Sequence, residues 1–138
     1  MFCAVPWRLL SHGDNKSITS SIKKYSRMSR KEMELLSRTI DLKFLLGIMN
    51  SRYADVLLTN LRGGDYHIYP EHIRNIPIPN ATSEQQRYIA SLVDRILAAK
   101  KENPQADTSA LEAEIDQLVY QLYGLTNEEI AIIEKAKE

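Results

Sequence analysis

The chain has 138 residues and a mass of 15.8 kDa, the size of one ordinary domain, and 43% of it is hydrophobic, enough to build a core. The lone cysteine, Cys3, excludes an intramolecular disulfide and a cysteine zinc cluster, and the longest apolar run, residues 44–49, is far short of the roughly 20 residues that cross a bilayer. Charges balance at 18 basic and 18 acidic, but residues 1–62 hold 11 Lys/Arg against 5 Asp/Glu and residues 63–138 hold 7 against 13, so a basic half precedes an acidic one. The opening Met1-Phe2-Cys3-Ala4-Val5 has neither a basic stretch nor a long apolar core, so no signal peptide is expected and the reading is a soluble cytoplasmic chain without a membrane partner.

In chain order, residues 4–10 read as a short strand whose Pro6 confines it to an edge, and residues 11–21 read as a polar loop. Lys23, Lys24, Arg27, Arg30 and Lys31 form a basic cluster around Tyr25. Ser29 and Glu32 have capping-box spacing and predict a short helix over 30–37. Residues 41–60 read as one long, mostly buried helix, because Leu42, Leu45, Met49, Tyr53, Val56 and Leu57 recur at three- and four-residue spacing until Gly63-Gly64 stops them. Residues 66–78 lack a helical period and carry Pro70 and Pro77, which predicts an extended segment with at most one turn near Pro70.

Beyond residue 81 the pattern is purely helical. Ser83 with Gln86, Ser109 with Glu112, and Thr126 with Glu129 each have the spacing of a helix start, and Asn103-Pro104 and Gly124 mark stops. The short connections predict an antiparallel hairpin followed by a short terminal helix. Glu112, Glu114 and Asp116 are assigned to its solvent side. The expected class is therefore α+β but predominantly helical. It has a minor sheet in a mixed region 1–80 and a helical region 81–138.

Catalytic constellations are missing. His12, His67 and His72 fit no metal-binding spacing, and no Walker loop, nucleophile elbow or dinucleotide fingerprint occurs. Asp65, His67, Glu71 and His72 are close in sequence, yet a proline-stiffened segment does not bring them to one point. No enzyme activity, metal or cofactor is expected of the chain by itself.

One ordered set of motifs is more specific. Leu42-Lys43-Phe44-Leu45-Leu46-Gly47-Ile48-Met49-Asn50-Ser51 is followed by Gly63-Gly64, by Ile73-Arg74-Asn75-Ile76-Pro77-Ile78-Pro79, and by Ser83-Glu84-Gln85-Gln86 at a helix start. With the closing Leu122-Tyr123-Gly124-Leu125-Thr126, this order resembles the C-terminal target-recognition (TaqI-like specificity) region of type II and IIG restriction–modification adenine-specific DNA methyltransferases. It is similar more loosely to type I specificity subunits. The resemblance spans about residues 41–138 and implies bacterial origin and a fragment that positions double-stranded DNA for a catalytic portion of a parent protein. The family's adenine-methylating N-P-P-(Y/F/W) signature and its S-adenosylmethionine motif are absent, so transferase activity is not carried over and that cofactor belongs to the parent's catalytic domain. On this reading Lys23, Lys24, Arg27, Arg30 and Lys31 meet phosphates, while Arg62, Asp65, Tyr66 and His67 form a DNA-reading turn. The alternative is a helical protein–protein interaction or oligomerisation domain that binds no DNA.

Overall fold

A computed structural model describes residues 28–136, together with Lys16, Thr19, Ser20 and Lys23. The chain divides into two compact units, residues 1–40 and 41–138. The expected boundary at 80/81 thus falls inside the second unit.

In the first unit, α1 (Arg30–Arg38) begins on Ser29: the Glu32 amide donates to the Ser29 hydroxyl at 3.3 Å, and the Ser29 amide donates to the Glu32 carboxylate at 2.7 Å. This is the expected capping box. Lys16, Thr19, Ser20 and Lys23 are helical and exposed, so at the described positions of residues 11–21 the expected loop is replaced by helix. The expected strand 4–10 lies outside the described residues.

The second unit contains α2 (Leu42–Met49), α3 (Arg52–Arg62), α4 (Pro70–Arg74), α5 (Ser83–Glu102), α6 (Ser109–Tyr123) and α7 (Asn127–Lys135). No strand occurs among the described residues, so the expected α+β class with a minor sheet is overturned. The single turn expected near Pro70 is present, but the strand reading of 66–78 fails for a physical reason. Pro70 opens the five-residue α4 at its first position, where the missing amide costs nothing, and Pro77 and Pro79 withhold the donors that a strand ladder needs.

The expected single helix 41–60 is two helices. The Asp41 carboxylate accepts from the Lys43 and Phe44 amides at 2.7 and 3.1 Å and starts α2. Ser51, 2% exposed, then does both halves of the break: its hydroxyl donates to the Ile48 carbonyl at 2.7 Å and accepts from the Ala54 amide at 3.2 Å. Ser51→Ala removes this cap and the acceptor of the buried Ala54 amide, while the Ile48 carbonyl keeps the Ser51 amide, so it should lower unfolding stability by about 1–2 kcal/mol in urea titrations.

α5 is the hub of the unit and packs against both α2 and α6, while α3 contacts α4, α6 and α7. Phe44, Ile48, Ile89, Leu92, Ile115 and Val119 fill the core between them, each 5% exposed or less. α5 and α6 are joined by residues 103–108, where the Lys100 ammonium donates to the Ala106 carbonyl at 2.7 Å, and the expected hairpin partners do pack together. No helix among the described residues is long and apolar enough to cross a membrane.

Candidate nucleic-acid interface

α3 ends because Gly63 and Gly64 take φ of +59° and +90°, values that L side chains avoid. The next residues form a tight polar turn. The Asp65 amide donates to the Arg62 carbonyl at 3.1 Å, and Asp65 Oδ1 accepts the His67 amide at 3.0 Å and lies 3.2 Å from His67 Nδ1. The His67 amide, and after it the imidazole, hold the Asp65 carboxyl below its ordinary value, so this carboxylate stays ionised. Tyr66 stands at the tip, 94% exposed.

Rings continue past the tip. Tyr69 lies between two imidazoles, with centroids 6.1 Å from His67 and 5.5 Å from His72. The Tyr69 amide donates to His72 Nδ1 at 3.2 Å, which opens α4. The exit of the segment is tethered to the core: Ile76 is 5% exposed and the Tyr123 hydroxyl donates to the Pro77 carbonyl. Tyr123 stacks edge-on against Tyr53 at 4.5 Å, and burial pushes its phenol up to about 12. The turn is therefore an exposed tip on two fixed roots, α3 and the Ile76-Pro77 anchor. Nothing in the sequence distinguished Tyr123 as that anchor.

The expected site residues fall into two sets. Arg62, Asp65, Tyr66 and His67 do come together in one turn of the second unit. Arg62 has an unusual environment: its Nε is buried and has no hydrogen-bond partner among the described residues. In the first unit Lys23 and Lys31 are exposed, and Arg30 is bound to Glu34 at 2.9 Å, which ties up part of its charge locally. Lys24 and Arg27 lie outside the described residues.

Asp116 departs from its expected solvent-facing place. It is 6% exposed, accepts the Arg52 amide at 2.8 Å and lies 3.4 Å from Arg52 Nε. Arg52 also pairs with Glu134, whose carboxylate accepts the Tyr120 hydroxyl at 2.8 Å. This network joins α3, α6 and α7, and all of its groups are satisfied by one another. A cleft of about 490 Å³ beside it is lined by apolar Leu46, Val93, Ile96 and Leu97 and by polar Asn50 and Glu112. Glu112 accepts the Thr108 hydroxyl at 2.5 Å, and Thr108 is itself buried. Among the described residues no group of three or more His, Cys, Asp or Glu is arranged to hold a metal ion.

Comparison with known proteins adds no relative: no family model, no curated protein and no solved structure matches the chain.

Proposed function

We propose that the chain is a DNA sequence-recognition fragment of a restriction–modification adenine methyltransferase, working beside a catalytic portion it does not contain. Beside the motif resemblance, the observation that carries this reading is Arg62 at the root of the Tyr66 turn. An Nε buried with no partner among the described residues means that the guanidinium has already given up part of its water. Bringing the group against a phosphate or a guanine edge then costs less desolvation than it does for a fully hydrated arginine, and the polar turn supplies neighbouring donors and acceptors for base edges.

The test is equilibrium binding of the full chain to duplex DNA over a salt series. With about 5 phosphate contacts, the log–log slope should lie near −4 to −5. Changing Lys23, Lys24, Arg27, Arg30 and Lys31 together to Ala should flatten it, whereas Arg62→Ala should weaken binding by about 1–3 kcal/mol if the arginine reads a guanine. A flat salt dependence in the unmodified chain overturns the reading. It would favour the second one, a protein-docking helical domain, for which the specific observation is the exposure of Leu42, Leu46 and Leu97 at 43–48% on α2 and α5.

A further inference from the structure

We infer that the cleft between α2, α5 and α6 is a binding site for a small organic cation, a primary ammonium carried on an apolar stem. This goes beyond DNA recognition and does not depend on it.

The cleft exists because three packed helices leave part of their apolar surface uncovered. Leu46 on α2 and Leu97 on α5 line it while 43% and 48% exposed, and Val93 and Ile96 continue the apolar wall. Its volume of about 490 Å³ lies in the range of small-molecule sites, which combine apolar walls with a few polar groups. Here the polar groups are Asn50, at the end of α2, and Glu112 and Asp116 on α6.

The sign of the ligand's charge follows from where Arg52 is committed. Its amide donates to Asp116 at 2.8 Å, its Nε lies 3.4 Å from the same carboxylate, and its Nη1 pairs with Glu134. One guanidinium thus faces two carboxylates. Glu112 is a third, with no cation paired to it among the described residues and only the Thr108 hydroxyl as donor. Asp116 is 6% exposed, so water screens this surplus of negative charge incompletely. Burial above all raises the Asp116 carboxyl, the Arg52 amide and guanidinium lower it, and Glu134 and Glu112 add to the rise. A bound cation would supply the missing positive charge.

Hydrogen-bonding capacity selects the head group. Asn50 donates from its side-chain amide to the Leu46 carbonyl at 2.9 Å, which leaves its side-chain oxygen as an acceptor. Glu112 keeps a second carboxylate oxygen beside the one that Thr108 uses. Acceptors are therefore in excess, and an ammonium has three donors and no acceptor. Glu112 and Asp116 stand one helical turn apart, with Cβ atoms about 5–6 Å from each other, a span that one ammonium bridges. Magnesium is a poor match, because it demands oxygen on all sides and one side of this cleft is hydrocarbon. That side takes the stem.

Amide proton–nitrogen correlation spectra of the full chain, titrated at physiological ionic strength, test the site. Phenethylammonium should bind saturably, with shifts concentrated at residues 46–52, 93–97 and 109–116. Phenethyl alcohol, the same stem without charge, and ethylammonium, the head without the stem, should each bind about tenfold more weakly or worse. Magnesium chloride should bind equally poorly, as should Nα-acetyl-lysine methylamide, a stand-in for a partner protein's lysine whose peptide groups would meet the apolar wall. Glu112→Gln keeps an oxygen for Thr108 and removes the charge, so it should weaken phenethylammonium about tenfold. Ala113→Leu narrows the cleft without touching a charge and should abolish binding. Both positions are exposed, so both variants should fold as the unmodified chain does, which urea midpoints check. Equal binding of the amine and the alcohol, or amine binding that either substitution leaves unchanged, overturns the inference. So does a lack of phenethylammonium binding, and so does tighter binding of the lysine derivative or of magnesium, which would make the cleft a protein-docking or metal site. None of these outcomes bears on duplex binding, which the salt series measures.

Discussion

Replacing Gly47 by alanine should lower the unfolding free energy by about 1 kcal/mol, and replacing it by valine by about 3 kcal/mol, in urea titrations of the full chain. The direction is not obvious from helix chemistry. Gly47 lies inside α2, where alanine is favoured by about 1 kcal/mol in an exposed helix. Packing opposes that gain. A Cβ at this position would meet Ile89 Cγ2 at 2.7 Å and Val93 Cγ2 at 3.3 Å, with Ile115 Cγ2 at 3.8 Å behind them. Ile89 and Val93 are 1% and 5% exposed, and a γ-methyl on a β-branched residue in a helix cannot swing aside, because χ1 is held in one well. The added atom therefore forces α2 away from α5, against the main packing interface of the unit.

The cause can be separated from the effect. Ile89→Leu moves the branch from Cβ to Cγ and removes the clashing methyl at nearly constant volume, so alone it should cost less than about 1.5 kcal/mol. Combined with Gly47→Ala it should recover most of the loss, giving a coupling of about 1 kcal/mol between the two positions. A stabilising Gly47→Ala, or strictly additive effects, would show that α2 and α5 are not in the contact described. Within the family resemblance Gly47 is one letter of a motif. In the structure it is the point of closest approach between two helices.

Local chemistry was legible from the sequence, and tertiary choices were not. Thr126 with Glu129, Ser29 with Glu32, and Gly63 and Gly124 as stops were readable because each satisfies orphan helix groups within four residues. The start of α5 was readable to within one residue, with Thr82 and Gln85 making the box assigned to Ser83 and Gln86; the Gln86 side chain instead accepts the Asp41 amide at 2.9 Å. The break at Ser51 was hidden because the apolar period runs on through it from Leu42 to Leu57. A serine in such a run reads as a polar interruption until its hydroxyl is seen to serve both helices. The minor sheet failed because isoleucines between prolines resemble a strand, but no strand partner occurs among the described residues, Pro70 and Pro77 have no amide, and those of His67, Tyr69, His72, Asn75 and Ile76 bond locally. The turn at 62–67 was legible as a position, from its glycines. The Tyr69–His72 ring ladder was not, because it depends on Pro70 starting a helix that folds His72 back to the Tyr69 amide.

Asp116 shows the same limit with a larger consequence: a carboxylate assigned to solvent is buried because the start of α3 lands on it. Burial, more than any other influence, holds the Asp116 carboxyl above its ordinary value of 3.8, while the Arg52 amide and guanidinium pull the other way. The folded state therefore binds this proton more tightly than the unfolded chain does. The group's contribution is fully present below the unfolded value and declines as pH rises through the folded one. Arg52 limits that decline, and Glu134 and Glu112, the other carboxylates acting on Asp116, add to it.

Arg52→Ala removes the guanidinium and keeps the backbone amide, leaving Asp116 with one donor and Glu134 with the Tyr120 hydroxyl alone. Stranding one partner of a buried pair costs about 3–5 kcal/mol, and the 45% exposure of the Arg52 side chain places the loss near the lower end, about 3 kcal/mol at neutral pH. The loss should shrink as pH falls toward about 4, since protonation relieves the stranded Asp116 carboxylate, whose proton the fold already holds more tightly. Asp116→Asn keeps an oxygen for the Arg52 amide without a charge to bury, so in the Arg52→Ala background it should restore part of the stability at neutral pH and little in acid. Urea midpoints at both pH values for the single and double variants decide the matter. An Arg52→Ala loss of equal size at both would mean that Arg52 acts through its aliphatic stem, and that α7 is held to α3 by packing around Ile133 rather than by the ion network.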